Sequence, residues 1–161
     1  MSLTIRRARA DEAGLVHSLV RELAEYEKLL HEVKATEADI AEALFGDNPR
    51  LTCDIAEWGG EPAGFALWFV NFSSFAGKHG IYLEDLFVRP ALRGKGIGKA
   101  LLVHLANECV ANGWERLQWA VLDWNTPSIE FYKSLGAVMM DDWTLCRVTG
   151  PALQALADGA R

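Results

Sequence analysis

A strand, a tight turn and the start of a helix follow one another in residues Ile81–Lys99, which read IYLEDLFVRPALRGKGIGK. The apolar residues predict a strand over Ile81–Val88, and the strand must end by Pro90, because proline has no backbone N–H to donate to a sheet. From Gly98, apolar residues recur at three- and four-residue spacing, which predicts a helix as far as Asn112. A glycine-rich turn therefore joins a strand to a helix.

This turn, Arg93–Lys99, has the composition of a phosphate-binding loop. Glycines let backbone N–H groups point inward at phosphate oxygens, and the N-terminus of the following helix adds positive potential. A dinucleotide fingerprint starting at Gly94 needs glycine where Lys99 stands, and a P-loop needs glycine at Arg93 and a hydroxyl at Ala100. The pattern that fits is R-x-x-G-x-G. The plain alternative is a solvated turn that binds nothing.

The charge of the whole chain contrasts with the charge of this loop. The 161 residues carry 16 Lys and Arg against 22 Asp and Glu, a formal net charge of −6. The segment Leu86–Asn107 contains no acid and four bases, Arg89, Arg93, Lys95 and Lys99. A negative chain argues against nucleic acid or an anionic membrane as a partner and favours a cationic one. The basic stretch favours an anionic ligand at the turn.

Length and composition predict one domain, because 50% of the residues are apolar and a single domain usually has roughly 100–200 residues. The predicted strands are Leu3–Arg7, Leu51–Glu57, Pro62–Phe72, Ile81–Val88, Leu117–Leu122, Ala137–Met140 and Trp143–Val148, with a polar loop at Ser73–Gly80. The predicted helices are Asp11–Leu29, Thr36–Gly46, Gly98–Asn112, Thr126–Gly136 and Pro151–Ala157. A tight turn at Gly59-Gly60 indicates antiparallel pairing, and helices between the later strands indicate parallel pairing. The expected fold class is α/β, with a mixed sheet and helices on both faces.

The cysteines and the N-terminus bear on the compartment. Cys53, Cys109 and Cys146 are far apart and form no C-x-x-C pair, so neither a disulfide framework nor a metal site is expected, and all three are predicted to be reduced core residues. The N-terminus lacks the apolar segment of a signal peptide, and the longest apolar run, Gly64–Phe72, is far below the roughly 20 residues of a membrane span. We therefore expect a cytoplasmic protein with no metal and no membrane partner.

Two carboxylates, Glu84 and Asp85, interrupt the strand Ile81–Val88. Burying an ionised carboxylate in a strand is costly unless it is paired, so such residues usually have a function. Strict alternation places the two side chains on opposite faces, one toward a substrate cleft and one toward the structure, and leaves open which is which. The backbone of Leu86–Val88 then runs toward the glycine turn, where it can hydrogen-bond the amide groups of a ligand.

A third motif is the segment Asn125–Gly136, which reads NTPSIEFYKSLG. Asparagine precedes the helix, Pro127 stands in its first turn, where the missing N–H has no cost, and Gly136 ends it. Tyr132 lies within this helix and is a candidate proton donor. The alternative is a tyrosine that only packs on the helix face.

Together these motifs resemble the GCN5-related N-acetyltransferase (GNAT) superfamily, whose members bind acetyl-coenzyme A. The resemblance covers nearly the whole chain and is strongest to the diamine (spermidine/spermine) N1-acetyltransferases and the related thialysine N-epsilon-acetyltransferases. Its motifs are ELAEYE at Glu22–Glu27, YLEDLFV at Tyr82–Val88, RGKGIG at Arg93–Gly98 and WNTPSIEFYK at Trp124–Lys133. It implies the GNAT acyl-CoA N-acyltransferase fold, a central and mostly antiparallel sheet with splayed parallel strands.

The resemblance also implies roles for single residues, with Tyr132 as the general acid and Glu84 as the base, acting directly or through water. The residues expected to hold the coenzyme are Leu86, Phe87, Val88, Arg93, Gly94, Lys95, Gly96, Ile97, Gly98, Lys99, Asn125, Thr126, Pro127 and Ser128. The residues expected to contact the amine substrate are Tyr26, Glu27, Glu84, Asp85, Gln118, Trp119, Ala120 and Asp141.

The expected reaction is transfer of an acetyl group from acetyl-CoA to a primary amine of a small cationic substrate by direct attack in a ternary complex. An alkylammonium with a pKa of about 10.4 must lose a proton before it attacks a thioester, so a base is required. The loop before the Glu-Asp strand reads Ser73-Ser74-Phe75, where polyamine-specific members have an acid followed by proline and tryptophan, which favours a short diamine or an amino acid over a long polyamine. The alternatives are acetylation of a protein or peptide amine and a non-catalytic acyl-CoA-binding module. The resemblance further implies a homodimer.

Overall fold

The computed structural model describes residues 1–159, which fall into two compact units, Met1–Ala120 and the segment from Val121 onward. The first unit contains β1 (Leu3–Arg7), α1 (Ala13–Tyr26), α2 (Glu37–Phe45), β2 (Thr52–Trp58), β3 (Glu61–Ser73), β4 (Lys78–Val88), α3 (Ile97–Ala111) and β5 (Arg116–Gln118). Single 3₁₀ turns lie at Leu30–Glu32 and Pro90–Leu92. The second unit contains α4 (Thr126–Ser134) and α5 (Gly150–Ala157).

The five strands form one mixed sheet in the order β1-β2-β3-β4-β5. The first three pairings are antiparallel, and β4 pairs with β5 in parallel. The parallel pairing joins only Gly80–Tyr82 to Arg116–Gln118, whereas β4 continues to Val88. The predicted mixed α/β fold is confirmed, and β4 has no strand beside it on the β5 side beyond Tyr82 among the strands described.

Short turns connect β2 to β3 and β3 to β4. Gly59 and Gly60 have φ of 61° and 84°, as expected for the two central residues of a hairpin turn that needs positive φ. The predicted polar loop at Ser73–Gly80 is wrong in extent, because β3 and β4 pair as far as Ser73 and Lys78. Cross-strand pairing overrides the polar composition at this end of the hairpin.

Helices cover both faces of the sheet. One face packs against α1 and α2 through a core of Val16, Leu19, Leu23, Ile40, Leu44, Cys53, Ile55, Phe65, Leu67 and Phe87. α2 begins at the predicted capping box, in which Thr36 and Asp39 exchange side-chain and backbone hydrogen bonds. On the other face, His104 of α3 lies 3.5 Å from Asp54 of β2. The prediction of helices on both faces is therefore confirmed.

Three predictions near the C-terminus and the cysteines have different outcomes. The strands predicted at Ala137–Met140 and Trp143–Val148 are wrong, because neither segment pairs in a ladder within residues 1–159, and an apolar run alone does not supply a partner strand. The terminal helix is confirmed as α5. Cys53 and Cys109 are buried, but Cys146 is exposed and is not a core residue; all three are free thiols.

Within the described part of the chain, no helix combines the length and apolar character needed to cross a bilayer.

Candidate active site

A β-bulge in β4 lies at the two predicted carboxylates. Leu83 pairs with Trp68 and Asp85 pairs with Leu67, so Glu84 is an extra residue with no pairing partner on β3. Strict alternation does not hold across a bulge, so the argument that placed Glu84 and Asp85 on opposite faces does not apply here. Asp85 shares a face with its partner Leu67, which belongs to the core under α1 and α2.

Asp85 is an acid in an unfavourable place for a negative charge. Burial, followed by the charges of Glu84 and Glu27, raises its pKa from the ordinary 3.8 to about 7. Burial also raises the pKa of Glu27, which follows the last residue of α1. Three carboxyl groups therefore lie close enough to interact. A bound cation would offset both the repulsion between their charges and the cost of their burial.

The end of α1 also supplies an aromatic wall beside these acids. The ring of Tyr26 lies 6.5 Å from that of Phe87, which is on the same face of β4 as Asp85. Tyr26, Glu27, Glu84 and Asp85 were predicted separately from two distant motifs. The fold brings all four to the junction of α1 with the bulge.

The glycine turn has the geometry of an anion cradle. Gly94 and Gly96 have φ of 78° and 80°, and the space where a Cβ of either residue would stand is open to 4 Å. Gly96 is the N-cap of α3, so no side chain caps the first N–H groups of that helix. Lys95 and Lys99 are exposed beside them. Uncapped N–H groups, a helix N-terminus and two cations fit the pyrophosphate of the expected coenzyme.

The basic stretch is smaller in three dimensions than in sequence. The guanidinium of Arg89 is bound to the carboxylate of Glu22 on α1, with Nη2–Oε2 at 3.0 Å. The guanidinium of Arg93 stacks on the ring of Tyr26 at 4.3 Å, and its Nε donates to the carbonyl of Val88. The ammonium of Lys95 lies 5.5 Å from the ring of Trp58. Two of the four predicted cations are therefore directed toward α1 or β4.

The backbone of Leu86–Val88 pairs with β3 on one side. On the other side β5 stops opposite Tyr82, so this part of the strand has an edge without a described strand partner. An extended chain with amide groups can hydrogen-bond to such an edge as a further strand does. The predicted contact of Leu86, Phe87 and Val88 with the pantetheine arm is compatible with this edge.

The remaining predicted residues lie on β5, just after it, or in the second unit. Gln118 and Trp119 are half-buried and Ala120 is exposed. In the second unit, Asn125 is buried and caps α4 by accepting a hydrogen bond from the backbone N–H of Ser128, while Thr126 and Pro127 are exposed. Tyr132 is buried on α4 with its ring 5.5 Å from that of Phe131, and Asp141 is exposed.

Comparison with known proteins gives the family of this chain. The profile of the acetyltransferase (GNAT) family matches residues 16–137. The chain belongs to the GNAT family. It is 37% identical to a thialysine N-epsilon-acetyltransferase of Sus scrofa, over 97% of this chain and 98% of the relative. It is 33% identical to an L-ornithine N5-acetyltransferase of Arabidopsis thaliana, over 94% and 86% of the two chains.

A solved structure is also similar to this GNAT chain. An integron cassette protein from the mobile metagenome of V. cholerae superposes with a TM-score of 0.80 at 31% identity, covering 98% of both chains. The protein is thus an acetyltransferase by family, and GNAT acetyltransferases use acetyl-CoA. The family resemblance and its branch, drawn from the motifs, are confirmed by these relatives.

One buried acid of this GNAT chain was not singled out from the sequence. Asp54 on β2 is 1% exposed, accepts a hydrogen bond from the indole N–H of Trp68, and lies 3.5 Å from both Arg7 and His104. The available signal was an acid between the apolar residues Cys53 and Ile55 in the middle of the predicted strand Leu51–Glu57. Asp54 lies on the α3 face of the sheet, opposite to Asp85. It connects β1, β3 and α3 and is not part of the group of acids formed by Glu27, Glu84 and Asp85.

Proposed function

We propose that this protein transfers the acetyl group of acetyl-CoA to the primary amine of a small cationic substrate, either an amino acid of the thialysine or ornithine type or a short diamine. The observation that carries the proposal is the partly buried Asp85, with a pKa raised to about 7 beside Glu84 and Glu27. Three acids at one point need a cation, and an alkylammonium is the cation that the names of the relatives suggest.

The acids have two tasks in this proposal, holding the ammonium and removing its proton. A bound cation beside the carboxylates favours their ionised forms, which offsets the cost of their burial. Asp85 has a pKa near the working pH, which suits a general base better than an ordinary aspartate. Glu84, exposed at the bulge, is the other candidate base, directly or through water.

The coenzyme supplies a thioester as the acetyl donor, and this chain's residues hold and orient it. We propose that the N–H groups of Gly94–Lys99 bind its pyrophosphate and that the free edge of Leu86–Val88 pairs with its pantetheine arm. Backbone N–H groups near Leu86 would stabilise the oxyanion formed when the amine attacks in a ternary complex. Tyr132 would protonate the departing thiolate, and Asn125–Ser128 would complete the coenzyme site.

The test is acetyl transfer from acetyl-CoA to ornithine, thialysine, lysine, putrescine, spermidine and a lysine-containing basic peptide. We expect the highest kcat/KM for the short amines and amino acids, and little turnover of the peptide. In the same assay Tyr132→Phe should lower kcat by about 10²- to 10⁴-fold, with the KM for acetyl-CoA largely unchanged. No turnover of any amine would overturn the proposal, and a preference for the peptide would replace it with a protein acetyltransferase.

We also propose the homodimer that the resemblance implies. In the second unit, a segment without helix or strand exposes large apolar side chains, among them Val138 at 78%, Trp143 at 77% and Leu145 at 80%. Apolar surface of this kind is typical of an interface between chains.

We further propose a cytoplasmic location and a single domain that spans the chain. The family profile matches residues from both units, which supports the single domain.

A further inference from the structure

Two arginines attach the start of the glycine turn to α1. Arg89 binds the carboxylate of Glu22 through two nitrogens, Nε at 3.1 Å from Oε1 and Nη2 at 3.0 Å from Oε2. Its third nitrogen, Nη1, donates to the backbone carbonyl of Pro62 at 2.9 Å. This paired geometry fixes the orientation of the guanidinium as well as its position.

The second arginine makes a different contact one turn further along. The guanidinium carbon of Arg93 lies 4.3 Å from the centre of the Tyr26 ring and 5.6 Å from that of Phe87, within the range of a cation–π contact. Its Nε donates to the carbonyl of Val88 at 3.0 Å. The Arg93 side chain is therefore held by α1 and β4 together.

The spacing of these contacts matches on both sides. Arg89 and Arg93 flank the 3₁₀ turn Pro90–Leu92, and their partners Glu22 and Tyr26 are four residues apart on α1, which places them on one face of that helix. We call these four residues the arginine clasp. On one side the clasp ends at Arg93, directly before the first cradle glycine, Gly94, and on the other side it ends at Tyr26, directly before Glu27.

We propose that the arginine clasp is a positioning device, in which the Arg93 guanidinium acts through the Tyr26 ring to fix the coenzyme loop relative to the amine end of α1. The proposal rests on the proposed function and deepens it. It differs from the role that the family resemblance implies for Arg93, which is direct contact with the pyrophosphate. Glycines lose more conformational freedom on ordering than other residues, so anchoring the loop at Arg93 reduces the entropy lost when it closes on an anion.

The test measures the affinity for coenzyme A by calorimetry with no amine present, so that a role of Tyr26 in amine binding does not contribute. We expect Tyr26→Leu to weaken CoA binding by about three- to tenfold, as for loss of one cation–π contact, and Tyr26→Phe to retain affinity because the ring remains. Arg93→Lys should also weaken binding, because an ammonium keeps the charge without the planar stacking face. The double variant Tyr26→Leu/Arg93→Lys should bind CoA about as tightly as the single variant that has the lower affinity, because both substitutions remove the same contact.

Arg21→Ala is the matched control, because it removes an exposed cation from α1 outside the clasp and should leave CoA affinity unchanged. Thermal melting of each variant shows whether it is folded. Unchanged CoA affinity in Tyr26→Leu, full affinity in Arg93→Lys, or additive effects in the double variant would each overturn the clasp and leave the proposed function intact. Failure of the unaltered protein to bind CoA would overturn the proposed function and this role with it.

Discussion

At the scale of single residues, the acid Asp85 is the side chain of the first unit that most clearly indicates a functional position. Its backbone is fixed by pairing with Leu67, and its carboxyl shares a face with apolar residues and lies near Glu27 and Glu84. A residue that only stabilised the fold here would be apolar, because a charge in this position opposes folding. A cost in stability at one site is typical of binding and catalytic positions.

The sign of this cost gives a prediction for Asp85→Asn. Because the folded pKa of about 7 lies above the ordinary 3.8, the native state binds the proton more tightly, and stability falls as pH rises from about 4 to 7. Asparagine does not titrate. We expect the free energy of unfolding of Asp85→Asn, relative to the unaltered protein, to increase by about 2–3 kcal/mol from pH 5 to pH 8.

Urea unfolding at the two pH values measures this difference, with Asp39→Asn as the control. The backbone and side chain of Thr36 lower the pKa of Asp39, so it stays ionised from pH 5 to pH 8 and its variant should show a constant difference. A constant difference for Asp85→Asn as well would contradict the assigned burial of its charge.

At the scale of elements, the segment from β4 to the start of α3 contributes most of the features of the proposed site. The bulge displaces Glu84, the short β5 leaves Leu86–Val88 with a free edge, and α3 begins without a side-chain cap. Each feature departs from regular structure. Such departures leave donors and charges available that a regular strand or a capped helix would use internally.

This junction predicts different effects of substitution at two glycines with similar φ angles. Gly96 and Gly60 have φ of 80° and 84°, and a Cβ at either meets nothing within 4 Å. Because a residue with a Cβ is unfavourable at positive φ, replacing either glycine by alanine should lower the free energy of unfolding by about 1–2 kcal/mol. We expect only Gly96→Ala to weaken CoA binding as well, by tenfold or more, because its methyl group occupies the cradle.

Denaturant unfolding and CoA calorimetry on both variants check this expectation, with Gly60→Ala as the measure of backbone strain alone. Equal CoA affinities in the two variants would show that Gly96 lies outside the coenzyme site.

At the scale of the whole molecule, the proposed function gives the acidic chain two separate sites, one for a cation at the bulge of β4 and one for an anion at the glycine turn that follows β4. Two of the four bases in its basic stretch, Arg89 and Arg93, connect this region to α1, and Lys95 and Lys99 remain exposed beside the glycine turn. The net charge of −6 is thus compatible with an anionic coenzyme, because binding depends on the local arrangement.

The homodimer predicts the mass of the molecule in solution. Light scattering should give twice the 17.8 kDa of one chain for the unaltered protein. The double variant Trp143→Ser/Leu145→Asp should give the mass of one chain. Val110→Ser, which removes a 79% exposed apolar side chain on α3, is the matched control and should stay dimeric. A mass of one chain for the unaltered protein would exclude the dimer.

Local signals allowed the sequence by itself to determine much of this protein. The hairpin glycines, the Thr36 capping box, the α3 boundary at the glycine turn and the motifs of the family all depend on residues close together in the chain. Backbone conformation at such places is set by neighbouring atoms, so a motif predicts it directly.

Only the tertiary structure decided the bulge at Glu84, the raised pKa of Asp85 and the loss of Arg89 from the basic stretch. Arg89 and its partner Glu22 are 67 residues apart in the chain, and the charge on Asp85 depends on the core built by β3 and α1. The two predicted C-terminal strands failed for the same reason, since a strand needs a partner that its own sequence does not specify. Contacts between distant segments set burial and charge state, and these are the properties on which the proposed chemistry depends.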